Sequence, residues 1–433
     1  MNVSILTLFP ELYTPFLATS LVRRAHEQNI VSFDVASMFS FCAPKERIDG
    51  PTFGHGSGMV LRPEVIERAV TDREAVHGKA FKIFFSPRGK KLNQDLLKNI
   101  VEKIKDKQHL MLLPARYEGM DSRIEEYYAD EVISIGDFVA MGGDLPAMLF
   151  LEGLLRLFPG VVGKQESVEH DSFTGPLVDY PEYTAPVEWN GLVVPEVLRS
   201  GNHRLIQEWR EKCALEKSVL EHFDWLRSHQ TTEAQNKQII DTMPPHYAAL
   251  MHVDVLLPEE REGTTSVTSI DIHDIARSAK TYGLRGYSIV TPLEDQKKIV
   301  NKLLSFWKEG VGVTYNPDRH EALRSVTMHD SLDEVIAAIT EREGLAPLVV
   351  TTSAQTVNGL KNITYHDQAV VWKEKRPVLF VFGTGRGLAP KVFERSDFNL
   401  IPILGYSQFN HLSVRSAVAV IFDRWLGINL RSI

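Results

Sequence analysis

The sequence predicts an α/β protein of two domains, each built on a largely parallel sheet. Three observations predict it. Short β-rich apolar runs alternate with longer helical stretches, the pattern of strands joined by crossover helices. The alternation breaks at a polar, proline-containing stretch in the middle of the chain and then restarts. Each half carries a glycine-dense segment after an apolar run, Ser134 to Pro146 in the first and Gly383 to Pro390 in the second. Glycine serves where backbone turns with positive φ or approaches a ligand too closely for a Cβ. Both segments therefore read as candidate binding loops, with an ordinary turn as the alternative. At 433 residues the chain is also too long for one typical core.

Taken in order, Val3 to Phe9 reads as the first strand, and Phe81 to Phe85, His109 to Leu113 and Glu131 to Ile135 as three more. Helices such as Pro63 to Ala75 and Asn93 to Lys105 separate them. From Gly160 to Pro195 the periodicity dissolves into Gly, Pro, Ser and acidic residues, a long irregular segment of the kind that often carries function. A helical stretch follows from Asn202 to Leu215. The polar run Ser228 to Lys237 and the pair Pro244-Pro245 read as a linker, placing the domain boundary near residue 245. Beyond it, Ala248 to Leu257, Tyr287 to Val290, Leu348 to Thr352 and Val378 to Phe382 read as strands, and Ser413 to Leu426 as a closing helix.

Composition narrows the function classes. Apolar content of 43% and charged content of 24% are ordinary for a globular protein. A net charge of -8 argues against a general polyanion binder, although a local basic patch is compatible with it. Cys42 and Cys213 stand far apart, so neither a disulfide framework nor a zinc site is indicated. The first ten residues lack a basic signal-like region, and no apolar run approaches bilayer length. The expectation is a cytoplasmic protein, neither secreted nor membrane-embedded.

Four features of the first domain stand in order: Phe85-Ser86-Pro87-Arg88-Gly89, Ala115-Arg116-Tyr117-Glu118-Gly119, the Gly136 to Pro146 loop, and His170-Asp171-Ser172-Phe173. The first three each follow a strand, so they can converge at the carboxyl edge of one sheet, where open α/β folds bind ligands. Neither GxxxxGK[ST] nor a helix-opening GxGxxG is present, which counts against a phosphate cradle.

Over roughly residues 1 to 240 these strings, with Leu8-Phe9-Pro10-Glu11, Phe53-Gly54-His55-Gly56-Ser57-Gly58-Met59, Gly142-Gly143-Asp144-Leu145-Pro146-Ala147 and Ser200-Gly201-Asn202-His203, stand in family order. Here the chain resembles the bacterial tRNA (guanine-N1)-methyltransferases that modify guanine 37, beside the anticodon. The resemblance implies a SPOUT-type parallel sheet with a deep trefoil knot, a small helical extension, S-adenosylmethionine as cofactor, and a homodimer with the active site at its interface. It divides the chain into a knotted domain (1–160), a segment carrying the catalytic aspartate (161–195), a helical tRNA-binding part with linker (196–245) and a second domain (246–433).

By the same resemblance the cofactor site takes Phe84, Ser86, Pro87, Gly89, Ala115, Tyr117, Glu118, Ser134, Ile135, Gly136, Asp137, Phe138, Val139, Ala140, Gly142, Gly143 and Pro146. Asp171 is the expected general base, contributed across the dimer interface, because guanine N1 carries a proton that must leave for its lone pair to attack. Arg156 is expected to stabilise the charge that spreads to O6. Ser172, His203 and Arg199 are candidate RNA contacts, and Arg88, Lys90, Lys91, Arg204 and Arg210 candidate phosphate contacts. Glu118 reads as a salt-bridge residue before a contact for Mg2+, the one metal entertained. Without the resemblance Asp171 reads as a turn-capping residue and Arg156 as a snorkelling helix residue. Ala115 replaces a usual glycine, His170 a common acidic residue, and Phe84 and Phe138 frequent tyrosines.

Residues 248 to 433 resemble a further SPOUT-like RNA methyltransferase family, through Phe382-Gly383-Thr384-Gly385-Arg386-Gly387-Leu388-Ala389 and Asn410-His411-Leu412-Ser413-Val414-Arg415-Ser416-Ala417. Two readings stay open for this half: a second methyltransferase, or a module that only binds RNA or extends the dimer. For the whole chain the runner-up is an NAD-dependent protein, disfavoured by the missing dinucleotide fingerprint.

Overall fold

The computed structural model describes residues 1–163 and 171–430, so His170 lies outside the described residues. The chain divides into two compact units, the first Met1–Thr174 and the second from Gly175 onward. The first holds β1 (Asn2–Thr7), β2 (Ser32–Ser37), β3 (Asp49–Pro51), β4 (Met59–Leu61), β5 (Phe81–Lys91), β6 (His109–Pro114) and β7 (Glu131–Ser134). Five of these form a wholly parallel sheet in the order β2-β1-β6-β5-β7. β3 and β4 make a separate antiparallel hairpin.

The strands are apolar without alternation because helices cover both sheet faces. Ile83, Phe85, Leu110 and Leu112 point to one side and pack on Phe150, Leu151 and Leu154 of the helix Asp144–Arg156. Their neighbours Phe84, Met111 and Leu113 point to the other and meet Val65, Ile66 and Ala69 of the helix Pro63–His77. That helix opens on a proline and stops at Gly78, whose φ of 83° few other residues adopt readily. The α/β class with parallel sheets expected from the sequence is what the structure shows.

The second unit contains β8 (Glu188–Trp189) and β9 (Leu192–Val193), a short hairpin, then β10 (His246–Met251), β11 (Val255–Leu256), β12 (Glu262–Gly263), β13 (Gly286–Val290), β14 (Val326–His329), β15 (Leu348–Thr352), β16 (Asn362–Ile363), β17 (Val378–Gly383) and β18 (Phe398–Leu400). Seven make a parallel sheet in the order β14-β13-β10-β17-β15-β18-β16. The run read as one strand from Ala248 to Leu257 is broken after Met251 by a turn through Asp254, at φ 55°.

Two features upstream of residue 245 differ from the linear reading. The helices His203–Glu221 and Phe223–Leu226 present Leu215, Val219, Phe223 and Leu226 at helical spacing, and these share one core with Trp372, Phe380 and Trp425. The second half of the polar run read as linker, from Glu233, opens the helix Glu233–Thr242. Thr232 and Gln235 build a capping box at its start, which satisfies backbone donors that a polar sequence alone would leave to water.

Candidate active site

Three strand exits, those of the adjacent β6, β5 and β7, converge at one sheet edge and with the β3–β4 hairpin line a cleft of about 1480 Å³. β5 brings Phe84, Ser86 and Pro87 to it; the segment after β6 brings Ala115, Tyr117 and Glu118. Ser134 and the loop after β7 bring Ile135, Phe138, Val139, Ala140, Gly142, Gly143 and Pro146. Three expected residues stand outside the lining. Gly89 lies in β5 against β7, where a Cβ would come 2.6 Å from the Val132 carbonyl oxygen. Gly136, partly exposed, accepts from the Ser134 hydroxyl at its carbonyl at 3.0 Å. Asp137 pairs with Lys91.

The cradle depends on missing side chains. Gly143 N–H donates to the Ala115 carbonyl at 2.7 Å, and a Cβ on Gly143 would stand 2.7 Å from Ala115 N and 2.8 Å from Pro114 Cα. A Cβ on Gly142 would meet the Arg116 side chain at 2.4 Å. On the opposite wall a Cβ on Gly58 would collide with Glu118, which explains why the hairpin reaches the β6 exit and bonds to it through Glu118 N to Met59 O (3.0 Å) and Leu61 N to Gly119 O (3.0 Å). The result is a glycine-walled slot with exposed apolar surface from Phe138 and Val139.

The sequence reading assigned no role to Asp144, the first residue of its helix, and the structure buries it to 1% exposure. Its Oδ1 accepts from Thr7 Oγ1 (2.6 Å) and Tyr13 OH (3.2 Å), and its Oδ2 accepts from Arg116 Nε (2.8 Å). Arg116 lies over the Phe9 ring, 4.7 Å from its centroid. Burial, then the charge of Asp144, pushes the Tyr13 hydroxyl far above its ordinary range. An acidic residue in a helix's first turn usually faces solvent, so no local signal distinguishes this one.

Arg156, at the other end of the same helix, donates through Nε (2.7 Å) to Asp171 Oδ2, with Nη2 2.6 Å from the same oxygen. The two expected catalytic residues are thus brought together, 15 positions apart in sequence. Neither lines the cleft of their own chain.

The candidate RNA contacts divide between the units. Ser172 adjoins Asp171 in the first. Arg199 ends the helix Glu196–Arg199 and His203 starts His203–Glu221 in the second, both exposed. The candidate phosphate contacts are engaged: Arg88 with Glu125 (3.3 Å), Lys90 with Glu131 (3.0 Å), Arg204 with Glu208 (2.6 Å) and Arg210 with Glu182 (3.8 Å). Among the described residues no group of three or more His, Cys, Asp or Glu side chains is placed to hold a metal ion, and no helix is long and apolar enough to cross a membrane.

Comparison with known proteins gives the context for this geometry. Residues 1–228 match the family model described as tRNA (Guanine-1)-methyltransferase TrmD, and residues 245–427 match one described as SAM-dependent RNA methyltransferase. A tRNA (guanine-N(1)-)-methyltransferase of Nitratidesulfovibrio vulgaris is 40% identical over 433 residues, covering 99% of each chain. One of Oleidesulfovibrio alaskensis is 38% identical over 433 residues, again covering 99% of each. A protein of the same name from Bacillus subtilis is 39% identical over 241 residues, 55% of this chain but 98% of the relative. With the same two-part architecture matched end to end and the glycine-walled cleft inside the first match, this chain belongs to the tRNA (guanine-N1)-methyltransferase family.

Proposed function

We propose that the first unit methylates N1 of guanine in tRNA, at position 37, with S-adenosylmethionine as methyl donor. The observation that carries the reading is the pairing of Asp171 with Arg156 in a chain of this family whose cleft has no room for side chains at Gly142 and Gly143. A slot walled by backbone, with aromatic and aliphatic side chains at its mouth, suits an adenosine read by edge hydrogen bonds and van der Waals contact. Ala115, Tyr117 and the Ile135 to Ala140 backbone would hold it. When bound, S-adenosylmethionine supplies the electrophilic methyl group.

The chain's own residues do the rest. Asp171 takes the proton from guanine N1, which frees the lone pair for in-line attack. As that proton leaves, negative charge spreads to O6, where the Arg156 guanidinium stabilises it. In the free protein the two side chains neutralise each other; guanine entering between them gives each a new partner, N1–H for the carboxylate and O6 for the guanidinium. Because neither side chain lines the cleft of its own chain, we place the reaction in a homodimer, one protomer's Asp171 serving its partner's cleft. Leu145, Leu149, Val139 and Met141 are exposed beside the cleft and offer an apolar face for that contact. The knotted SPOUT topology and a cytoplasmic location belong to the same proposal. Mg2+ is assigned no step, since no clustered donors for it stand among the described residues. The second unit is read as a further RNA methyltransferase domain, in line with the family model it matches.

The test is methyl transfer from labelled S-adenosylmethionine to an unmodified tRNA transcript, with nucleoside mapping. Label is expected as 1-methylguanosine at position 37 and is expected to vanish in Asp171→Ala. Label elsewhere that survives the substitution would move the activity to the second unit.

A further inference from the structure

We propose that Asp144 is a positioning residue for the methyl-transfer cleft, acting through Arg116 to set the shape of the Gly142-Gly143 wall. The inference rests on the reading of that cleft as the cofactor site.

Asp144 joins two stretches of chain remote from it in sequence, the Thr7 to Tyr13 stretch and the β6 exit. Thr7 comes from the end of β1 and Tyr13 from the short helix Tyr13–Leu17; Arg116 comes from the exit of β6. All three donate to one buried carboxylate. Thr7 Oγ1 in turn accepts from Phe9 N–H at 3.0 Å, which fixes the ring on which Arg116 lies. A buried carboxylate is costly unless its lone pairs are filled, and here two hydroxyls and one guanidinium fill them.

Arg116 is the member that touches function. It lines the cleft, and its Cδ and Nε occupy the space that a Gly142 Cβ would need. Its side chain is therefore the surface against which the glycine turn is moulded. A free arginine has many rotamers, and one that lines the cleft can reach into it. The Asp144 carboxylate on one side and the Phe9 ring on the other select a single one. Because Asp144 also begins the helix that ends in Arg156, the contact sets the register of that helix against the β6 exit.

The experiment uses the full chain and measures S-adenosylmethionine binding by calorimetry, the KM for S-adenosylmethionine, kcat and thermal midpoint. In Asp144→Asn the neutral amide keeps the size of the side chain but loses the charge that holds Arg116. The dissociation constant and KM are expected to rise about tenfold or more, with kcat at saturating cofactor falling far less. Tyr13→Phe, which removes one donor to Asp144 but spares both the Asp144–Arg116 pair and the Thr7–Phe9 contact, is expected to lower the thermal midpoint with a much smaller rise in KM. If Asp144 acts through Arg116, the double variant Asp144→Asn/Arg116→Met binds no more weakly than Arg116→Met alone. A wild-type chain that binds and methylates while Asp144→Asn keeps its KM, or loses kcat and stability without a change in KM, overturns the inference and leaves the cleft reading intact. Additive losses in the double variant also overturn it. A wild-type chain that fails to bind the cofactor overturns the cleft reading, and this inference with it.

Discussion

Acidification should unfold the second unit before the first, and His246 is the reason. It opens β10 and is 3% exposed. Its Nε2 accepts two indole donors at once, Trp372 Nε1 at 3.2 Å and Trp425 Nε1 at 3.1 Å, while the Pro244 carbonyl takes its other hydrogen bond. This arrangement requires a neutral ring, since a proton on Nε2 would face two N–H groups in a dry core. Burial pushes the imidazole down from 6.5 to about 4, only partly offset by the Pro244 bond. Between those values the unfolded chain binds a proton that the native chain refuses. The stabilisation is therefore full above pH 6.5 and lost as the pH falls toward 4. A shift of that size corresponds to roughly 3 kcal/mol, a large share of a domain's stability. His252, also pushed down to about 4 by burial, adds to the same slope. Detection is clean, because all six tryptophans, at 189, 209, 225, 307, 372 and 425, lie in the second unit. Urea unfolding followed by tryptophan fluorescence should show a midpoint that falls steeply from pH 7 to pH 5. His246→Gln keeps a hydrogen-bond acceptor but cannot titrate, so it should be less stable at pH 7 and show a flatter pH dependence. Equal slopes for the two proteins would refute the reasoning.

Three further outcomes are expected. Gly143→Ala places a methyl group 2.7 Å from backbone that cannot yield and should cost about 1–3 kcal/mol of fold stability, by thermal melting; Gly142→Ala meets the Arg116 side chain held by Asp144 and Phe9, so it should displace that arginine and lower cofactor affinity, by calorimetry, more than it lowers the thermal midpoint. Phe223→Ala, which removes a ring 4.8 Å from Trp372, should destabilise the second unit by about 3–5 kcal/mol in urea unfolding although residue 223 lies within the stretch matched by the first family model. In the first unit the carboxyls of Asp34, Glu74 and Glu131 are raised by burial but held below their ordinary range by Arg73 and His77, by Lys82, and by Lys103 and Lys90; far-ultraviolet dichroism should therefore show that unit persisting to lower pH than the tryptophan signal.

Legibility followed the range of the interactions. Ile83, Phe84 and Phe85 announce a strand covered on both faces, and Asn93 announces a helix start that its side chain caps at 2.8 Å from Leu96 N. The lining residues came from the family resemblance; the letters alone marked only a candidate binding loop, because glycine records the need for a missing Cβ locally, as at Gly142 and Gly143. What sequence could not carry was distance. Asp144 looks like an ordinary first-turn acid until Thr7, 137 residues away, donates to it. The run Ser228 to Lys237 reads as linker because polarity dominates it; the capping box at Thr232 and Gln235 is present in the letters, but its helix has no buried side chain to announce it. The packing of Phe223 on Trp372 is tertiary and leaves no mark at either position.

The two units share one scheme, which makes their differences informative. Ranked by chain order, the core strands of the first sheet run second, first, fourth, third, fifth across space, as β2-β1-β6-β5-β7. The second sheet repeats this as β13-β10-β17-β15-β18, with β14 and β16 added at the edges. In both, a helix of 13 residues follows the fifth strand: Asp144–Arg156 and Val414–Leu426. The first ends in Arg156, whose guanidinium pairs with Asp171. Near the end of the second, Arg424 lies over the Tyr365 ring at 5.1 Å and its carbonyl is capped by Arg227 at 2.6 Å. That arginine, two residues before the helix end, is engaged in packing rather than in holding an acid. Among the described residues, ring packing at Arg424 thus stands where the first unit has the Arg156–Asp171 pairing, and polar groups gather instead at the sheet edge by the glycine loop. The buried His252, joined through Thr265 to Thr384 in the glycine loop by contacts of 3.1 and 2.5 Å, stands at that edge beside the first strand. Its depressed basicity makes it a neutral hydrogen-bonding group at pH 7 and thus a fixed support for the loop.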